Sequence, residues 1–242
     1  MNLWNGAWYL AGHEIKRERW GFVLTLFFIA YFVLFTAPSY QEALIDREEK
    51  VFVWVIDFLN IAMLPVLGFC MNRANLNFCK NDYYTQKLQQ WRTLPITLKQ
   101  IVMGRLIQYW IILTSVFIIY FSMLYAYIAL MGTEGLSLTT FVLYALTWYG
   151  YSMVVGVSYI YWELGTTGKV YFIISCLYII GYFMLTILLL ILLKSSISVS
   201  VINALEEGQW WIPVIAVALG LSSIAAGTKL IENRLRKRDL SK

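Results

Sequence analysis

Between Val170 and Leu193 the chain runs for 24 residues without one charged side chain. A hydrocarbon core about 30 Å thick is crossed by roughly 20 apolar helical residues, so a run of this length and purity reads as a transmembrane helix. It does not alternate as a barrel strand must, because the stretch LTILLLILL is apolar on every side. In lipid every backbone N–H and C=O must find its partner within the segment or in a closed barrel, so the helix is the structure that remains.

The same pattern recurs. Apolar runs at 20–37, 51–71, 101–131, 136–162, 170–193 and 211–230 give six candidate spans, with Pro38 stopping the first and Pro65 kinking the second. Composition agrees: 60% of the 242 residues are hydrophobic and 14% charged, against about 25% charged in a soluble domain. The expected fold class is therefore all-α integral membrane, a single transmembrane domain over 1–242.

Lysine and arginine set the orientation. Taken alternately, the segments outside the spans collect sixteen of these residues on one side and three on the other. The positive-inside rule places the sixteen, and with them both termini, in the cytoplasm of a multi-pass plasma-membrane protein. The acidic loop with Glu42, Asp46, Glu48 and Glu49 falls on the outer side.

Two segments outside the spans have structure of their own. In residues 1–19, Trp4, Trp8, Ala11 and Ile15 share one helical stripe while His13, Glu14, Lys16 and Arg17 lie off it, the pattern of an interfacial helix with its apolar side toward lipid. The cytoplasmic stretch 72–100 is too long for a turn. In it Asp82 can cap a helix running to Arg92, Leu94-Pro95-Ile96 interrupts, and Thr97 can cap the helix that enters the third span.

The run Trp91-Arg92-Thr93-Leu94-Pro95-Ile96-Thr97-Leu98-Lys99-Gln100-Ile101, followed by Gly104-Arg105, resembles the cytoplasmic loop of ABC-2 type transporter permeases. Gly156-Val157-Ser158 in the fourth span is a shorter echo of the same family. The layout is similar too: six spans, both ends inside and an amphipathic N-terminal elbow helix. The resemblance implies the membrane subunit of an ABC exporter. Its coupling helix would carry Asp82, Lys87, Leu88, Trp91, Arg92, Leu94 and Pro95 into a groove on a separate ATPase subunit, two of which would serve the pair of permeases. A second permease copy or a paralogue would complete the pathway. The substrate class it implies is amphipathic or hydrophobic, such as an antimicrobial peptide or a drug.

ATP belongs on the partner in this reading, with no cofactor on the chain. The loop Gly165-Thr166-Thr167-Gly168-Lys169 looks like the tail of a phosphate-binding loop, but Glu163 stands where the first glycine belongs and Val170 where Ser or Thr follows the lysine. Within the spans, Asp57, Asn60, Trp148 and Tyr151 are the candidate pathway-lining residues, because an intramembrane carboxylate is costly and has to face protein or water. Packing between helices is the competing use of the aromatic pair.

Other classes fit less well. A stand-alone secondary transporter or channel needs ionisable groups along several spans, and Asp57 is the clear one. A membrane enzyme needs paired acids, a Ser/His set or a metal cluster. The single histidine, His13, and the unpaired spacing of Cys70, Cys79 and Cys176 supply little of that. No basic pattern for nucleic acid is present beyond the positive-inside bias.

Overall fold

A computed structural model of the chain describes residues 2–41, 53–70, 82–130, 137–193 and 195–238. The acidic loop after the first span, Cys79, and Arg47, Lys50, Arg73, Lys80, Lys194 and Lys242 of the charge count lie outside the described residues. Among the described residues the structure is all α, with no strand: α1 Leu3–Arg17, α2 Arg19–Gln41, α3 Val53–Met63, α4 Tyr83–Thr93, α5 Leu98–Leu130, α6 Leu138–Gly165, α7 Gly168–Leu193, α8 Ile197–Glu206 and α9 Trp211–Lys237. Five of these, α2, α5, α6, α7 and α9, are long and apolar enough to cross a membrane. The chain is a multi-pass membrane protein.

Several boundaries differ from the sequence reading for identifiable reasons. α2 continues through Pro38 for another turn to Gln41, because Tyr40 at its end is held by hydrogen bonds in the interior. The second apolar run is not one continuous helix over 51–71. α3 stops at Met63, and a short 3-10 turn, Val66–Gly68, follows Pro65. Proline cannot donate to the turn before it, and the carbonyls it frees are taken by tyrosines. The Tyr151 hydroxyl donates to the Ile61 carbonyl at 3.1 Å. The Tyr109 hydroxyl lies 3.0 Å from the Pro65 carbonyl and 2.9 Å from that of Ser152.

The helix caps are local chemistry. Asp82 accepts from the Thr85 amide at 3.2 Å at the start of α4. Thr97 and Gln100 form a reciprocal pair at the start of α5: the Gln100 amide donates to the Thr97 hydroxyl at 3.2 Å, and the Thr97 amide donates to Gln100 Oε1 at 2.8 Å. This is the capping-box arrangement. Ser137 caps α6 through the Thr140 amide at 3.0 Å.

Packing is built on α5 and α6, with α9 pressed against α6. At Gly150 an added Cβ would fall 2.3 Å from the backbone of Ala216. Small residues let membrane helices approach this closely, which matters where lipid removes any hydrophobic drive for helices to associate. α1 lies across the start of α5, with Ala7, Leu10 and Ala11 buried and Trp4 and Trp8 outward. α7 is almost wholly exposed and touches α3 through Phe183, whose ring meets Trp54 and Phe58 edge-on.

Candidate functional site

Most of the described charged residues gather at one end of the helix bundle, where α1, α4, the start of α5 and the ends of α6 and α9 meet. Lys87 of α4 places its Nζ 2.6 Å from Glu14 Oε2 and 3.4 Å from Glu18 Oε1. Glu18 accepts from Gln108 Nε2 at 2.9 Å, and Gln108 Oε1 accepts from Arg105 Nη1 at 2.8 Å. Arg105 then forms a forked ion pair with Glu163 at 2.9–3.2 Å. Arg17 closes the other end on Glu14 at 2.9 Å.

The result is one connected network from α1 through α4 and α5 to α6. Its carboxylates Glu14, Glu18 and Glu163 are matched by the cations Arg17, Lys87 and Arg105. Glu14, Glu18, Lys87, Arg105, Gln108 and Glu163 are all buried. Buried ions are tolerated when paired this closely, and breaking one pair is expensive.

A second joint holds the start of α4. Besides capping α4, Asp82 accepts from the Gly168 amide at 3.0 Å and from the Thr85 hydroxyl at 2.7 Å, so one carboxylate ties the first turns of α4 and α7 together. Burial works against its charge. The bonds from Thr85 and Gly168 and the nearby Arg238 outweigh burial and hold the Asp82 carboxyl below its ordinary pKa. Arg238 donates to the Thr85 hydroxyl and to the Leu164 carbonyl, each at 2.6 Å. Arg92 donates to the Leu235 carbonyl at 2.8 Å.

The helix α4 therefore has two faces, and they divide the expected coupling residues. Lys87, Leu88 and Trp91 are buried against the rest of the chain, with Lys87 also 4.9 Å over the Trp91 ring. They bind α4 to its own protein, so they are not the outward surface the sequence reading assigned to them. The exposed positions are Gln86, Gln89, Gln90, Arg92 and Thr93, followed by Leu94 and Pro95. Asp82 is half-buried at the joint.

The four expected pathway residues are also interior. Asp57, 2% exposed, accepts from the Ser196 hydroxyl at 2.9 Å and from the Ile197 and Ser198 amides at 2.7 and 2.9 Å. It thereby satisfies the free N–H groups at the start of α8 from another helix. Asn60 is held by the hydroxyls of Tyr40, Tyr144 and Ser198. Trp148 packs edge-on to Tyr144 and Tyr151, and Tyr151 serves the α3 break. All four hold helices together at the end away from the charged network or midway along. An apolar groove of about 520 Å³ lies elsewhere, between α5 and α6, lined by Phe117, Phe121, Tyr125, Phe141 and Tyr149 among others.

Sequence reasoning missed Glu14, Glu18, Arg105, Gln108 and Glu163 as a unit. Arg105 seven residues past Leu98 in an apolar helix, and Glu163 near the end of another, were the available signal, since isolated charges at span ends pair when buried. Among the described residues no three His, Cys, Asp or Glu side chains come together to hold a metal. Comparison with protein-family models finds none that matches the chain, and comparison with curated proteins likewise finds no match.

Proposed function

We propose that this chain is the permease subunit of an ABC-2 type exporter, driven by ATPase subunits that dock on α4. The observation that carries the reading is the two-faced α4. It is a helix outside the apolar spans, bolted to α1 and α2 by Lys87 and to α6, α7 and α9 by Asp82, Arg92 and Arg238, with a glutamine-rich face left outward. A helix held this way transmits a push to the spans as a rigid lever.

Other features support the reading. The segments rich in Lys and Arg, α1, α4 and the end of α9, meet at one end of the bundle, as cytoplasmic location of both termini requires. α3 with its 3-10 turn supplies a sixth, broken crossing. α1 is the elbow, with Trp4 and Trp8 free to face lipid headgroups. The aromatic groove between α5 and α6 suits an amphipathic or hydrophobic substrate, with a second permease copy or a paralogue completing the path.

The test uses the outward face alone. The chain is co-expressed with its ATPase subunit and isolated from membranes, and association and ATP-dependent transport are measured for wild type and for Q86E/Q90E/L94E. Loss of both in a variant that keeps the wild-type melting temperature is expected. If the wild-type chain moves its cargo with no ATP-hydrolysing companion, or the variant retains full association, the reading fails.

A further inference from the structure

We infer that Arg92, Arg234 and Arg238 form a binding site for the phosphate headgroup of an anionic phospholipid, seated where the ends of α6 and α9 meet α4. The cytoplasmic side of this site rests on the topology proposed above; the lipid binding itself requires no ATPase.

The three guanidinium groups come from two separate segments and converge on two helix ends. The Leu235 carbonyl accepts both from Arg92 Nη2 at 2.8 Å and from the Arg238 amide at 3.2 Å. The Leu164 carbonyl accepts from Arg238 Nη1 at 2.6 Å. Arg234 runs beside the next residue, Gly165, where an added Cβ would fall 2.9 Å from its Cγ, and its guanidinium stands 6.0 Å over the Tyr161 ring.

These partners fix the cations without neutralising them. Helix C-terminal carbonyls carry only partial negative charge. Among the described carboxylates, Asp82 acts on Arg238, while Glu163 is committed to Arg105 and Glu232 to Arg236. Burial, and then the charges of Arg92 and Arg234, push the Arg238 pKa down against the pull of Asp82, as expected where cations crowd. An added anion relieves that crowding, and guanidinium forks match phosphate oxygens in geometry.

Depth selects a lipid over a soluble anion. Arg234 is one helical turn beyond Leu230, which is 60% exposed on the same face of α9, so a headgroup at the arginines has apolar surface directly beneath it for its acyl chains. Tyr161 and Trp162 sit at the same level, where interfacial aromatics collect, and exposed Lys169 begins α7. Because Arg238 also holds the Thr85 hydroxyl that serves the Asp82 cap, a bound headgroup stiffens the joint at the start of α4.

The experiment is native mass spectrometry of the full chain extracted from bilayers of equal phosphatidylglycerol and phosphatidylcholine, with no ATPase present. Wild type should retain phosphatidylglycerol preferentially. R92Q/R234Q/R238Q should lower the retained ratio about tenfold. R92K/R234K/R238K should keep most of it, which separates lost charge from lost fold. R234Q, which leaves the Leu164, Leu235 and Thr85 hydrogen bonds in place, should lower it about threefold. Removing equal charge elsewhere on the same end, K16Q/R19Q/K99Q, should leave it unchanged. The site is overturned if the triple glutamine variant retains the wild-type ratio or if the control falls equally. It is also overturned if inorganic phosphate displaces the lipid completely, which marks a soluble-anion site.

Discussion

Replacing Lys87 by methionine keeps the length and packing of the side chain and removes its charge. In the native fold the ammonium lies 2.6 Å from Glu14 and 3.4 Å from Glu18. At an effective dielectric near 20 the closer contact alone amounts to a gross attraction of about 6 kcal/mol. Desolvation offsets most of that while the pair is intact. Without Lys87, Glu14 and Glu18 stay buried with one cation fewer, and breaking a buried pair in this way costs roughly 3–5 kcal/mol.

The cost falls first on α4. A helix of 11 residues has little stability of its own and is held by its docked face. Hydrogen exchange of the amides at 86–93 in detergent is the assay. At the low end of the cost, K87M should speed exchange there by about a hundredfold, with α6 and α9 little changed. E14Q/K87M should be less harmful than the two single changes added together, because the uncompensated charge is gone. Exchange at 86–93 that is unchanged in K87M would mean that Leu88, Trp91 and the contacts of Asp82, Arg92 and Arg238 hold α4 without Lys87, and the proposed lever would not depend on the network.

Asp57→Ala should release the start of α8 by roughly 3 kcal/mol, since two buried amides and a hydroxyl lose a charged acceptor; faster exchange across 197–206 with α5 unaffected is the readout. Gly150→Leu should lower the stability of the purified chain by about 2 kcal/mol or more, seen as a drop in melting temperature, because its first side-chain carbon meets the Ala216 backbone. The Asp82 carboxyl, held below its ordinary pKa, contributes stability that is complete above the unfolded value of about 3.9 and is lost as pH falls through the lower folded value. The melting-temperature gap between wild type and D82N should therefore stay constant from neutral pH down to about 4 and close only below that.

What was legible in the sequence was local chemistry. The span positions follow from charge-free runs. The caps at Asp82 and Thr97 follow from side chains that reach their own helix, and the break at Pro65 from a missing donor. The outward or inward face of α4 was not legible. Its sequence YYTQKLQQWRT has no strong apolar stripe, and Lys87 reads as a solvent-facing residue until Glu14 and Glu18, some seventy positions earlier, arrive beside it. Asp57 is a similar case. A carboxylate in a span reads as pathway or partner, and only the fold brings the α8 amides to it from about 140 residues away.

The placement of these charges decides which parts can move. Coupling by a lever needs a stiff connection near the push and compliant packing farther off. Around α4 the connections are ionic and doubly anchored: Lys87 toward α1 and the start of α2, Asp82 and Arg238 toward α6, α7 and α9. At the opposite end α8 is held by Asp57, a few hydroxyls and the buried Ile202 and Leu205, and α7 has little side-chain burial. If α4 is the docking lever proposed above, motion delivered to it is carried through the charged end and released where the polar restraints are fewest, at α8 and the far half of α7. An exchange experiment on the working assembly checks this order. Added ATP should alter protection at 197–206 while leaving 86–93 as protected as before, and the opposite pattern would mean that α4 is the compliant element rather than the lever.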